Sequence, residues 1–327
     1  MGIKSLIVST VAAIWISTAL VGAAHAEPLR IFYFIWVGYG PLFVAQEKGF
    51  FAKEGVQVEL INNEVHAAAF GGLFSGQVDA VAGALPDAPQ AFQPDEEPLV
   101  CVLALDDSRG SDGVLASKSI RSVTDLKGQS VAFLKDSLQQ FYLNVLLKEV
   151  GLSEADIEAV DLSAEDAMQV FLLQEVDAVV TQDPFLTQGR EAEHGHLLAD
   201  SSERPGLIAD CLITRRDVFN ERKPEFQALA QAWSAAVDYV EAHPGEASEI
   251  MARHLGGGLE DPAVFAESLG GIRLYDAEMN REYFGTPEQP GPIYRTMQHA
   301  IDVWTELGVV KAQITPADVI AHGIYDE

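Results

Sequence analysis

Aromatic, amide and carboxylate side chains gather at a few turns of this 327-residue chain. Trp36 and Tyr39 flank a glycine, Asn63 and His66 share the stretch 62–66, and Pro86 precedes Asp87. Asp107, Ser108 and Asp112 lie in the polar stretch 106–112. Ser137 and Gln140 open a helical pattern, and Gln182 and Asp183 precede Pro184. Such groups suit recognition. Rings stack on a flat solute, amides and hydroxyls exchange hydrogen bonds, and carboxylates hold cations or N–H donors. Local duties compete for the same residues. Asn63, His66 and Ser137 could cap helices, and Asp107, Ser108 and Asp112 suit a turn.

Signatures of catalysis are missing. There is no G-x-S-x-G elbow, no phosphate loop, no H-E-x-x-H and no G-x-G-x-x-G. The eight histidines are scattered. His194 and His196, two apart, would face different ways on a helix and read as surface residues. Cys101 and Cys211 lack the spacing of a zinc site and are either paired or buried and free. No catalytic residue, metal or cofactor is expected.

The elements that must carry these turns alternate. Apolar runs at 29–36, 56–61, 78–82 and 99–105 read as strands, with helical patterns between them. A second series follows, with strands at 113–116, 129–134, 157–162 and 176–181 and a further strand at 207–214. Val-Asp-Ala-Val stands at 78–81 and again at 176–179, with a proline following at 86 and at 184. The repeat and the strand–helix alternation predict two doubly wound α/β lobes. Ligands of such sheets bind beyond the carboxyl ends of strands, where the turns above fall. Within the repeat, Ala84-Leu85 stands opposite Gln182-Asp183, and ligand choice is expected there. From 215 onward the pattern is helical, with apolar residues at Phe226, Leu229, Ala230, Trp233 and Val237. These helices are expected on the first lobe. The lobes then comprise 27–108 with 214–327, and 109–213, crossed twice by the chain near 106–112 and 204–214.

Charge narrows the partners. With 49 acidic and 21 basic residues the chain carries −28, which excludes a phosphate-neutralising role and so nucleic acid. Residues 1–26 hold one lysine, an apolar run and Ala24-His25-Ala26, the form of a signal peptide cleaved after Ala26.

Four stretches together resemble one family. They are Trp-Val-Gly-Tyr-Gly-Pro-Leu-Phe-Val-Ala-Gln-Glu-Lys-Gly-Phe-Phe-Ala-Lys-Glu-Gly at 36–55, Ser-Val-Thr-Asp-Leu-Lys-Gly at 122–128, the segment 176–185, and 201–217. Their order and spacing are similar to those of the nitrate/sulfonate/taurine group of ABC-transporter substrate-binding proteins, which includes binders of thiamine precursors. The resemblance implies a type II periplasmic-binding-protein fold, α/β, with two lobes joined by two hinge strands. It implies a periplasmic monomer that passes a small-molecule ligand to a permease and an ATPase. Where many relatives carry Trp-Glu-Pro, this chain has Gln182-Asp183-Pro184. The acid-rich turns (Glu64, Asp87, Asp107, Asp112, Asp136, Asp183) favour an amine, guanidinium, zwitterion or N-heterocycle over a pure anion. Other readings are a nitrate or sulfonate binder, an exported sensor, and an enzyme like the thiamine-pyrimidine synthases, whose cysteine-rich motif is missing.

Overall fold

The computed structural model describes residues 27–63, 69–256 and 258–325. Segment 1–26, expected from its sequence to be a signal peptide, Glu64 and His66 lie outside them. Two sheets divide the chain. The first contains β1 (Leu29–Tyr33), β2 (Val58–Asn62), β3 (Ala80–Ala84), β4 (Leu99–Ser108), β10 (Ala209–Arg215) and β11 (Ile272–Leu274), ordered β11-β4-β10-β3-β1-β2. The second contains β5 (Asp112–Ser117), β6 (Ser130–Phe133), β7 (Glu158–Asp161), β8 (Ala178–Gln182) and β9 (Gly195–Asp200), ordered β7-β6-β8-β5-β9.

These orders follow one plan. With the incoming strand β5 of the second sheet set aside, the first strand of each sheet (β1, β6) pairs in parallel with the second (β2, β7) and third (β3, β8), and an antiparallel strand lies beyond the third. That antiparallel strand comes from a chain crossing: β10 returns from the second sheet, and β5 arrives from the first. The Val-Asp-Ala-Val repeat supplies the third strand of each sheet. Its aspartate does the same work twice. Asp79 accepts from the Arg30 backbone N–H at 2.9 Å, and Asp177 accepts from the Ser130 backbone N–H at 3.0 Å, fixing strand three against strand one. Arg30 and Arg222 also pair with Asp79.

Alternation along the first sheet sends side chains to two cores. Phe32, Val81, Cys211 and Ile213 join one, while Ile31, Tyr33, Ala80, Ala82 and Leu212 join the other. Helices Gly40–Glu47, Lys223–Ala242 and Pro244–Leu255 cover the second of these faces. The residues expected on the apolar stripe of 223–242 are all buried there. Helix Ile293–Glu306 covers the first face and also reaches the second lobe, where its Trp304 ring lies 6.4 Å from Phe141. Trp304 is fully buried, and its Nε1 donates to the Pro86 carbonyl at 2.6 Å. Trp304→Ala should therefore cost about 3–5 kcal/mol of stability, readable as a lowered urea midpoint.

Several expectations change. The return strand begins at Ala209 in the first sheet, ahead of the expected lobe boundary at 214, because its apolar run pairs with β3 and β4. The second lobe takes its last strand instead from 195–200, whose histidine and mixed polarity hid it. His194 and His196 are half-buried rather than surface residues, bonding the carbonyls of Phe171 and Ile120 at 2.9 and 2.7 Å. Cys101 and Cys211, left open by the sequence, are joined as a disulfide between β4 and β10, with Cα atoms 6.0 Å apart.

Candidate functional site

Carboxyl ends of strands from both sheets converge on a cavity of about 230 Å³. The first lobe lends Phe34, Ile35 and Trp36 after β1, Ala84 at the end of β3, Asp87, Asp106 near the end of β4, and Ile208 and Asp210 at the entry to β10. The second lobe lends Asp112 at the start of β5, Leu134, Ser137, Leu138 and Gln139 after β6, and Gln182 at the end of β8. Tyr39 completes the wall.

Four of these residues are carboxylic acids, and all four are buried: Asp106 is 1% exposed, Asp87 3%, Asp112 4% and Asp210 7%. Asp106 and Asp210 are direct cross-strand partners on β4 and β10. Trp36 Nε1 donates to Asp106 Oδ1 at 3.1 Å, Tyr39 is hydrogen-bonded to Asp210, and Gln90 donates to Asp87 at 3.1 Å. Asp106 Oδ2 and Asp112 Oδ2 are buried without a hydrogen-bond partner. Among the described lining residues there is no lysine, arginine or histidine.

Burial under these conditions raises acid pKa values. Asp106 is pushed well above the usual carboxylate range, first by desolvation and next by Asp210, against a smaller opposing effect of the Trp36 N–H. Asp112 is raised to about 7 by desolvation, with Ser108 opposing and Asp183 adding to it. The Tyr39 hydroxyl is held well above its usual range by burial and by the Asp210 and Asp106 carboxylates. Among its described lining residues such a site is short of positive charge.

The turn at Gly38 makes room for this arrangement. A Cβ there would overlap the Asp106 carboxylate and crowd the Trp36 indole. Gly38→Ala should displace both, costing about 1–3 kcal/mol from overpacking and weakening ligand binding; paired melting and titration measurements check this.

Of the residues singled out by sequence, Trp36, Tyr39, Asp87, Asp112, Ser137 and Gln182 meet at the cavity. Apart from His66, which lies outside the described residues, the others are not among its lining. The carbonyl of Pro86 receives Trp304. Asp107 turns away, paired with Arg109 at 2.9 Å and accepting from Gly206 N at 2.8 Å. Burial raises its pKa against the opposing Arg109. Ser108 supports the site from behind: it contacts Ser201 at 2.6 Å and bonds Asp112. Gln140 accepts from Asp136 N and donates to Glu154, so it braces its helix instead of facing the cavity. Asp183 accepts from Thr187 N and Oγ1 and faces an adjoining groove. The Asn63 N–H bonds the Tyr33 carbonyl. Asp106 and Asp210 were missed, while Gln139, beside Ser137 at the start of the same helix, does line the cavity. A lone acid inside an apolar run gives little signal, although the stretch 106–112 already contained Asp106.

Residues 36–247 match the family model described as NMT1/THI5 like. A Haemophilus influenzae protein whose name provisionally assigns it to thiamine biosynthesis is 28% identical over 231 residues, spanning 68% of this chain and 72% of its own. The periplasmic aliphatic sulphonate binding protein SsuA from Escherichia coli superposes with a TM-score of 0.73 at 19% identity, over 91% of this chain and 92% of that one. The periplasmic nitrate-binding protein NrtA from Synechocystis PCC 6803 superposes with a TM-score of 0.63 at 14% identity, over 88% of this chain and 83% of that one. Both share the periplasmic-binding-protein architecture of two α/β lobes. This chain belongs to the NMT1/THI5-like family.

Proposed function

We propose that this protein is the solute-capturing component of an ABC importer and that its solute is a small cationic or donor-rich organic molecule. One observation carries the reading. The cavity between the lobes is walled by aromatic rings and four buried acids, with no basic side chain among its described lining residues. A buried carboxylate without a counter-charge is costly. A guest that brings cationic or N–H donors relieves that cost and is selected by it. Nitrate or a simple sulfonate would add to it.

The role is binding without chemistry. A ligand touching both lobes stabilises the closed arrangement only to the extent that it binds that arrangement better. The closed form is then the signal read by a permease coupled to an ATPase. Segment 1–26 fits export, with cleavage after Ala26 and work in the periplasm. Family membership and the shared architecture support this assignment.

A heat-shift screen against amines, guanidines, aminopyrimidines, sulfonates and nitrate tests it. Stabilisation grows with ligand concentration over its dissociation constant. Organic cations are expected to raise the melting temperature, and nitrate and alkanesulfonates to leave it unmoved. The reverse pattern would sink the reading.

A further inference from the structure

The two halves of the cavity are built alike. Ala84, the last residue of β3, lies in register with Asp210 on the incoming strand β10. Gln182, the last residue of β8, lies in register with Asp112 on the incoming strand β5. The repeat therefore places one aspartate at the same point of each lobe. Among the acids that line the cavity, each lobe also contributes one buried carboxylate oxygen without a hydrogen-bond partner: Asp106 Oδ2, beside Asp210, and Asp112 Oδ2; Asp107 Oδ1, likewise unpartnered, belongs to an acid outside the lining. Between these acid centres the walls are apolar, from Phe34, Ile35 and Ile208 on one side and Leu134 and Leu138 on the other. The feature of the second lobe best suited to an anion, the start of helix Leu138–Glu149, is already capped by Ser137 Oγ, which accepts from Gln139 N.

We propose that the cavity takes a two-ended organic cation, an α,ω-diamine or an amine with a terminal guanidinium, with one end on Asp106 and Asp210 and the other on Asp112. The apolar walls then cover its methylene chain. This rests on the reading that the solute is cationic. It adds that both lobes bind charge, so a single-ended cation satisfies only one of them. The Asp112 carboxylate adds a minor contribution to the raised pKa of Asp106, so like charge reaches the first centre from the second. Filling both with one ligand replaces that repulsion with two attractions.

Calorimetric titration of the purified protein with 1,4-diaminobutane and with n-butylamine separates the outcomes. The two probes share a chain length and differ by one charge. The diamine should bind at least tenfold tighter, since a hydrogen bond to a charged group contributes roughly that factor or more. Asp112→Asn should erase most of that advantage. Equal affinities for the two amines would overturn the two-ended ligand and leave the cationic reading intact. Binding of nitrate or ethanesulfonate, with neither amine bound, would overturn both. Failure of every probe would overturn the two-ended ligand. The wild-type comparison decides the matter even if the variant does not fold.

Discussion

Asp106→Asn is expected to weaken binding of an organic cation by roughly 10- to 100-fold, the loss of one charge-assisted hydrogen bond. The substitution keeps the shape of the side chain and an oxygen for the Trp36 N–H. It removes a charge that the site must hold beside Asp210, in a position 1% exposed. The unliganded protein should consequently melt at the same temperature or higher, because a desolvated carboxylate near another one destabilises the fold. Weaker binding with unchanged or greater stability marks a recognition residue. A scaffold residue would lose both together. Titration at pH 8, with melting of the free protein alongside, reads the two signs. Unchanged affinity would remove Asp106 from the site.

The second large effect is on pH. Asp112 has a folded-state pKa of about 7, above its unfolded value near 4. Below about pH 4 both states carry the proton, and nothing is lost. Between about 4 and 7 the folded state keeps a proton that the unfolded chain has released, so stability falls as pH rises. The loss is complete above 7, at about 4 kcal/mol for a shift of this size. Asp106, also raised, adds a loss of the same sign. Affinity for a cation runs the other way, because the ligand needs the charged carboxylate. It should rise about tenfold per pH unit up to pH 7 for each proton released, then level off with respect to Asp112. Melting curves and titrations across pH 5–8 should show these opposed slopes. Parallel slopes would mean that the acids do not meet the ligand.

The architecture was largely legible because its signals are local. Val-Asp-Ala-Val names the third strand of each lobe in four residues, and the structure shows Asp79 and Asp177 doing one job in both. The acids were only partly legible, for a geometric reason. Whether Asp106 or Asp107 faces the cavity depends on the phase of β4. The pairing of β4 with β10 shifts register twice, at Asp210/Cys211 and at Leu212/Ile213. Each shift changes the parity of alternation, and neither leaves a mark in the sequence, so counting along the strand does not settle which neighbour faces the cavity. The partnership of Asp106 with Asp210 depends on sheet order, which sequence periodicity does not carry. Of the contrasted pair Gln182-Asp183, Gln182 reached the cavity, while Asp183 turned to cap the following helix.

β10 lies between β3 and β4, so the first sheet has a slot in its middle until residues 209–215 arrive. A chain emerging from its N-terminus completes the strands of the second sheet, residues 112–200, before it can fill that slot. The second lobe thus has the means to fold first, while the first waits with β3 and β4 unpaired on facing edges. Cys101 and Cys211, 110 residues apart in sequence, come into reach only once the slot is filled. Their bond closes a loop around the entire second lobe, and its formation is a chemical timestamp for the last strand entering the first.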